Sequence, residues 1–214
     1  MQNVLKGLMK FQKEIFSKKK TLFTSLSKQQ TPSVLFVTCS DSRIDPSLLM
    51  QTDPGDLFVI RNAGNLIPAY GAAIGGSTAT IEYGVSVLKV NDIIVCGHTD
   101  CGAMKGLLYP ENLQSLPAVK AWLQHAETTV RIVQDHYPHL KGNDLFAAAI
   151  RENVLAQIDH LKTHPAVATR LRKGDLQLHG WVYSIGTGDV WVHDAGKNDW
   201  RSLSKRNKKR GKGS

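Results

Sequence analysis

Two apolar runs, each cut off by polar residues, constrain this chain more than any other feature. The first, Val34-Leu35-Phe36-Val37-Thr38, leads into Cys39-Ser40-Asp41-Ser42-Arg43. The second, Ile93-Ile94-Val95-Cys96-Gly97, leads into His98-Thr99-Asp100-Cys101-Gly102. Short continuous runs of this kind fit strands buried on both faces, the situation of a parallel sheet covered by helices. In an open α/β sheet the loops at the carboxyl ends of the strands gather into one crevice. If these two strands are neighbours, Cys39, His98 and Cys101 meet there. Two thiolates and an imidazole make a zinc site whose fourth position is open, the catalytic pattern rather than the closed structural one.

The rest of the chain fits such a sheet. Apolar residues at helical spacing predict a helix over 4–26, read as an arm packed on the body or on a second subunit in preference to a basic helix lying on a membrane. Thr31-Pro32 ends it and leads into the first strand. Asp45-Pro46 is a helix start, with a capping side chain followed by the residue suited to the first helical position. A strand over 57–61 runs into the polar loop Asn62-Ala63-Gly64-Asn65. Helices are expected over 77–88, 103–108, 118–136, 144–162 and 166–172. Two last strands, over 176–185 and 190–194, are joined by the turn Gly186-Thr187-Gly188-Asp189. The expected fold is α/β, with a mostly parallel central sheet of about four strands plus an antiparallel edge strand, flanked by helices. One zinc domain is expected over residues 1–203, its first 28 residues forming the helical arm, with a basic tail at 204–214.

That tail qualifies the net charge of +9. It holds Lys205, Arg206, Lys208, Lys209, Arg210 and Lys212 and no acid, and without those cations the remainder is only mildly basic. Such a run is ordinarily a solvated tail; docking on an acidic partner or nucleic acid is the weaker alternative. No apolar run approaches the length of a membrane span, and the first residues lack the pattern of a secretory signal. Cytoplasmic residence is expected. Three cysteines are too few for a disulfide framework. Cys96, inside an apolar run, reads as a small buried hydrophobe. There is no glycine-rich phosphate loop, and no nucleotide is expected.

Asp41 and Arg43 sharpen the zinc reading. Alternation would project Cys39, Asp41 and Arg43 to one side if the segment is extended. A carboxylate beside zinc can be a fourth ligand or accept a hydrogen bond from bound water, and Arg43 would keep it ionised and oriented. At these residues the chain resembles the β-class carbonic anhydrases, most closely their plant and cyanobacterial branch. The resemblance rests on Cys39-Ser40-Asp41-Ser42-Arg43 and His98-Thr99-Asp100-Cys101-Gly102, on the stretch from Gly55 to Asn65, and on Ile81-Glu82-Tyr83-Gly84. It covers about residues 30–108 and continues weakly through His179-Gly180-Trp181-Val182-Tyr183.

The resemblance implies zinc held by Cys39, His98 and Cys101, with Asp41 and Arg43 as the catalytic dyad. It implies a substrate pocket from Gln30, Phe58 and Tyr83, partly supplied by a neighbouring subunit, and a homodimer or higher homo-oligomer gripped by the arm. The expected reaction is reversible hydration of carbon dioxide to bicarbonate and a proton by zinc-bound hydroxide. Two thiolates neutralise the ion's charge where three imidazoles would not, so activity should rise on the alkaline side of neutrality. Some family members close the site with the aspartate and hold bicarbonate in a second pocket. The matching positions here are Phe36, Arg61 and Tyr183, and Phe36 lacks the indole donor of the usual tryptophan, so an open site is expected. Two alternatives stand beside this reading. One is hydrolysis of carbonyl sulfide or carbon disulfide at the same zinc. The other is a zinc-stabilised binding module that works through its basic tail.

Overall fold

In the computed structural model, which describes residues 1–73 and 75–204, the two apolar runs lie side by side at the centre of one sheet. Six strands form it: β1 (Val34–Cys39), β2 (Leu57–Asn62), β3 (Asp92–His98), β4 (Gln177–Tyr183), β5 (Val190–Asp194) and β6 (Asp199–Ser202). Their order is β2-β1-β3-β4-β5-β6. The first four pair in parallel, and β5 and β6 close the row antiparallel. β6 adds a second antiparallel strand to the one expected. Asp199-Trp200-Arg201-Ser202 is too short and too polar to show as an apolar run. It is placed instead by the turn that brings it back along β5, where Asn198 takes a left-handed φ of 49°.

Alternation along the central strands divides the core. Leu35, Val37, Ile93 and Val95 point to one face, Phe36, Ile94 and Cys96 to the other. Seven helices follow β1 to β3 and return the chain to parallel strands: α4 (Pro46–Met50) after β1, α5 (Gly76–Ser86) after β2, and α6 (Gly102–Leu108), α7 (Pro117–Leu123), α8 (Glu127–His136), α9 (Gly142–Thr163) and α10 (Pro165–Lys173) after β3, the last leading into β4. The expected helix over 118–136 is interrupted by a tighter turn at Gln124–Ala126, between α7 and α8. On α4 the capping reading holds: Asp45 accepts a hydrogen bond from the Leu48 amide at 2.8 Å.

α9 lies hard against the sheet. A methyl group on Gly97 of β3 would come within 3.0 Å of Val154 and 3.2 Å of Ile150, so glycine is required there by close approach. The second face is thinner, covered by Ile44, Leu49 and Met50 around Phe36, Ile94 and Cys96, with Trp181 edge-on to Phe36 at 6.3 Å.

The amino-terminal arm is helical but not one helix. α1 (Gln2–Lys10) passes through a wider turn at Phe11–Ile15 into α2 (Phe16–Lys18), and α3 (Lys20–Leu26) follows a kink at Lys19. None of these helices buries a residue. Phe11, Phe16 and Phe23 cluster with one another, while Val4, Leu5, Leu8 and Met9 are more than half exposed. The arm meets the body only toward its end, where Lys19 pairs with Asp53 and Leu26 lies over Gly55. Among the described residues no helix is long and apolar enough to cross a membrane. Of the basic tail, residues 205–214 lie outside the described residues.

Candidate metal centre

β1 and β3 are adjacent and in register, so their carboxyl ends release Cys39 and His98 at the same edge of the sheet. Three residues past His98, Cys101 sits at the N-cap of α6, where the free amides of the first turn favour a negative sulfur. The Cys39 and Cys101 sulfurs are 4.0 Å apart, and the two sulfurs and a ring nitrogen of His98 all fall within 4.8 Å of one another. Tetrahedral zinc with bonds of about 2.3 Å to sulfur needs its sulfurs roughly 3.8 Å apart.

His98 is fully buried, and its Nδ1–H donates to the Thr99 carbonyl at 2.9 Å. A carbonyl only accepts, so the proton is on Nδ1 and Nε2 carries a lone pair. That Nε2 has no hydrogen-bond partner among the described residues. A buried unpaired polar atom is costly, and this one lies beside two sulfurs. Such a donor set fits a divalent soft or borderline cation.

The electrostatics agree. Cys39 is pulled down by its hydrogen bond with Cys101, and Cys101 is pushed up by the same contact and by burial. One buried thiolate suppresses its neighbour, and both ionise together only with a cation between them. For His98, burial pulls the imidazole down, but the nearby Cys39 sulfur outweighs it and the net shift is upward. Cys39 also accepts a hydrogen bond from the Gly64 amide at 3.4 Å. Cys96 points away into the second core face and plays no part; burial pushes its thiol up to about 12.

Asp41 and Arg43 meet, but not by strand alternation. β1 ends at Cys39, and a turn follows in which the Arg43 amide donates to Asp41 Oδ1 at 3.0 Å. The turn folds the guanidinium back: Nε donates to Oδ1 at 2.9 Å and Nη2 to Oδ2 at 2.7 Å. This two-point pairing holds the Asp41 carboxyl well below the usual carboxylate range. Asp41 Oδ2 stands 3.8 Å from His98 Nε2, at the rim of the triad.

Gln30, Phe58 and Tyr83 are not gathered with the triad within the one chain. Phe58 pairs with Leu35, four positions before Cys39 on β1. It lies against Tyr83 with ring centroids 6.1 Å apart. Gln30 is exposed ahead of β1. Phe36 is fully buried under Trp181. Arg61 is occupied by the carbonyls of Cys39 and Asp41, at 3.1 and 2.8 Å, and Tyr183 pairs with His98 across the sheet.

Sequence reasoning gave no role to two sets of residues that support the site. Asp100 accepts from Arg43 Nη1 at 2.8 Å and also pairs with Lys105; Arg43, then Lys105, hold its carboxyl down at about 2. Asn153 of α9 donates to the Gly64 carbonyl at 3.0 Å and accepts from Gln157 at 3.0 Å, while Gln157 accepts from the Ile67 amide at 2.7 Å. These buried amides fix the loop whose Gly64 amide reaches Cys39. Two amides four apart on the buried stripe of a helix were the available signal. A cleft of about 330 Å³, lined by Thr99, Asp100, Cys101, Lys105, Phe146 and Ile150 among others, adjoins the triad. A larger one, about 650 Å³, opens between α5 and α10. Its half-buried Arg170 is already held by Asp175 and the carbonyls of Val85 and Val90.

Comparison with known proteins agrees with this geometry. Residues 34–190 match the family model described as carbonic anhydrase. A carbonic anhydrase of Synechocystis sp. is 53% identical over 201 residues, covering 94% of this chain and 73% of that protein. The solved structure of the β-carbonic anhydrase CcaA superposes with a TM-score of 0.92 at 52% identity, covering 94% of this chain and 98% of that one. Structures described as tetrameric β-carbonic anhydrases from Sordaria macrospora give a TM-score of 0.78 at 26% identity, covering 94% of this chain and 95% of those. With its two strand-end loops converging on a cysteine–histidine–cysteine triad, this chain belongs to the carbonic anhydrases, in their β class.

Proposed function

We propose that the chain hydrates carbon dioxide reversibly to bicarbonate and a proton, with zinc held by Cys39, His98 and Cys101. The observation that carries this reading is the orphaned Nε2 of a fully buried histidine facing two thiols 4.0 Å apart. Zinc bound there supplies the Lewis acidity that brings the pKa of a bound water toward neutrality. The chain's own residues do the rest. Asp41, kept ionised by Arg43, accepts a hydrogen bond from the attacking water and aims a lone pair at the carbon. Arg43 engages both oxygens of Asp41, so a metal held by the triad would keep a position free of this carboxylate. Fully packed Phe36 offers no donor for a second bicarbonate pocket.

The apolar pocket for the gas is completed by a second copy of the chain. Phe58 lies some four residues, or about 13 Å, back along β2 from the triad end of the sheet, and Tyr83 of α5, beside it, is 45% exposed. In the assembled protein these rings and Gln30 serve the neighbouring site, and Gln30 donates to an oxygen of the substrate as charge develops. The uncovered apolar face of α1 supports the same assembly. Three free thiols, two of them ligands, suit a reducing compartment such as the cytoplasm.

Zinc content and stopped-flow carbon dioxide hydration at pH 8.5 test the reading together. One zinc per chain with hydration is expected. One zinc per chain without hydration, but with turnover of carbonyl sulfide, would replace the substrate. Zinc with no turnover of either gas would leave a binding module.

A further inference from the structure

Arg43 touches two carboxylates, and only one of them belongs to its own loop. Beyond its two bonds to Asp41, it donates from Nη1 to Asp100 Oδ2 at 2.8 Å and from Nη2 to the Asp100 carbonyl at 3.1 Å. Lys105, on α6, closes on the other carboxylate oxygen of Asp100. A chain of alternating charge, Lys105–Asp100–Arg43–Asp41, therefore runs from α6 to the rim of the triad.

The backbone is shaped for this contact. Asp100 has a φ of 59°, the left-handed region that non-glycine residues enter at a cost and that Asp and Asn tolerate best. That turn lies between His98 and Cys101. It presents both the carbonyl and the carboxylate of Asp100 to the same guanidinium.

The anchor matters because of what Asp41 can otherwise reach. The Arg43 side chain is 44% exposed, and a solvent-exposed ion pair holds its partners only weakly. Asp41 Oδ2 lies 3.8 Å from His98 Nε2, so a carboxylate released by Arg43 is within reach of the metal's open position. Filling it would exclude the water.

We propose that Asp100 is a positioning residue that anchors Arg43 and, through it, keeps Asp41 out of the metal's fourth position. The proposal rests on the zinc reading above, and its test separates the two. Asp100→Gly keeps the left-handed turn and removes the side chain; Asp100→Asn keeps the turn and one neutral acceptor. Each is prepared with zinc for kinetics and with cobalt(II) for visible absorption, which reports exchange of a water ligand for a carboxylate. Metal stoichiometry and thermal melting are measured alongside.

For Asp100→Gly the expected result is a kcat at pH 7.5 lowered about fivefold, the size set by one exposed charged contact. KM should change little, the cobalt spectrum should be altered, and full metal should be retained. Asp100→Asn should show the same change in smaller degree, and it carries the test if the glycine variant fails to fold. In an Arg43→Ala background the Asp100 substitutions should add nothing. Wild-type kcat and cobalt spectrum in both variants would overturn the proposal, as would an equal effect with Arg43 absent. A wild-type protein that holds no zinc or hydrates no carbon dioxide would instead overturn the functional reading.

Discussion

At Asp41 the chemistry depends on a single contact pattern. Its two side-chain bonds to Arg43 hold it as an ion at the rim of the triad. Asp41→Ala should therefore keep one zinc per chain and lose roughly a hundredfold or more in turnover, the scale of a removed proton-handling group; full activity would remove Asp41 from the reaction. The same bonds fix a sign for stability. Folded Asp41 binds its proton less tightly than unfolded Asp41. Its contribution is complete above the unfolded value of about 4 and is lost as pH falls below that. The stability gap between wild type and Asp41→Ala should thus narrow between pH 6 and pH 3 in urea titrations. Because Asp41 stays ionised through neutrality, it contributes no limb to the pH–rate profile there. The profile should rise on the alkaline side, since two thiolates leave the site less positive than three imidazoles; a rate already flat from pH 6 contradicts this.

Among the elements, α9 and β3 form the contact on which the site's precision rests. Gly97 lets the helix approach, and Asn153 and Gln157 then hold the loop over 63–67 against the end of β1. Gly97→Ala forces Val154 and Ile150 to give way, an overpacking cost of about 1–3 kcal/mol. Its midpoint in urea should fall with the slope unchanged, and zinc affinity should fall with it, because the displaced element is the one that braces Cys39. A midpoint equal to wild type would show that α9 shifts freely. The arm makes the opposite case. Its helical pattern is strong, yet no residue of α1, α2 or α3 is buried by its own chain. The break at Lys19 turns α3 back toward the body while α1 and α2 remain uncovered.

For the molecule as a whole, the exposed apolar surface of the arm is the face that the proposed assembly would cover. Removing residues 1–18 should lower the mass seen by sedimentation. If the pocket is shared between copies, it should lower carbon dioxide hydration as well, while zinc content persists, since Cys39, His98 and Cys101 all lie on β1, β3 and α6. Loss of zinc on deleting the arm, or hydration unchanged in a monomer, would contradict the shared pocket. The β2 edge of the sheet also lies open in the single chain, with Val59 37% exposed.

What the sequence determined by itself was five of the six strands and the triad that could hold a metal. An apolar run that ends at a polar cluster declares both a buried strand and its functional end, so Cys39, His98 and Cys101 were legible at a separation of some sixty residues. The parallel order followed from the same runs, because strands this apolar need cover on both sides. Other features are set by partners far away in the chain and leave no local mark. The Asp41–Arg43 contact comes from a turn rather than alternation, Arg43 also reaches across to Asp100, and β6 exists only because β5 lends it hydrogen bonds. The separation of Phe58 from its own triad is likewise a matter of register, four residues back along β2, and Tyr83 of α5 lies beside it. Only the tertiary structure decides such things, since local pattern records which face a residue takes and not what stands opposite it.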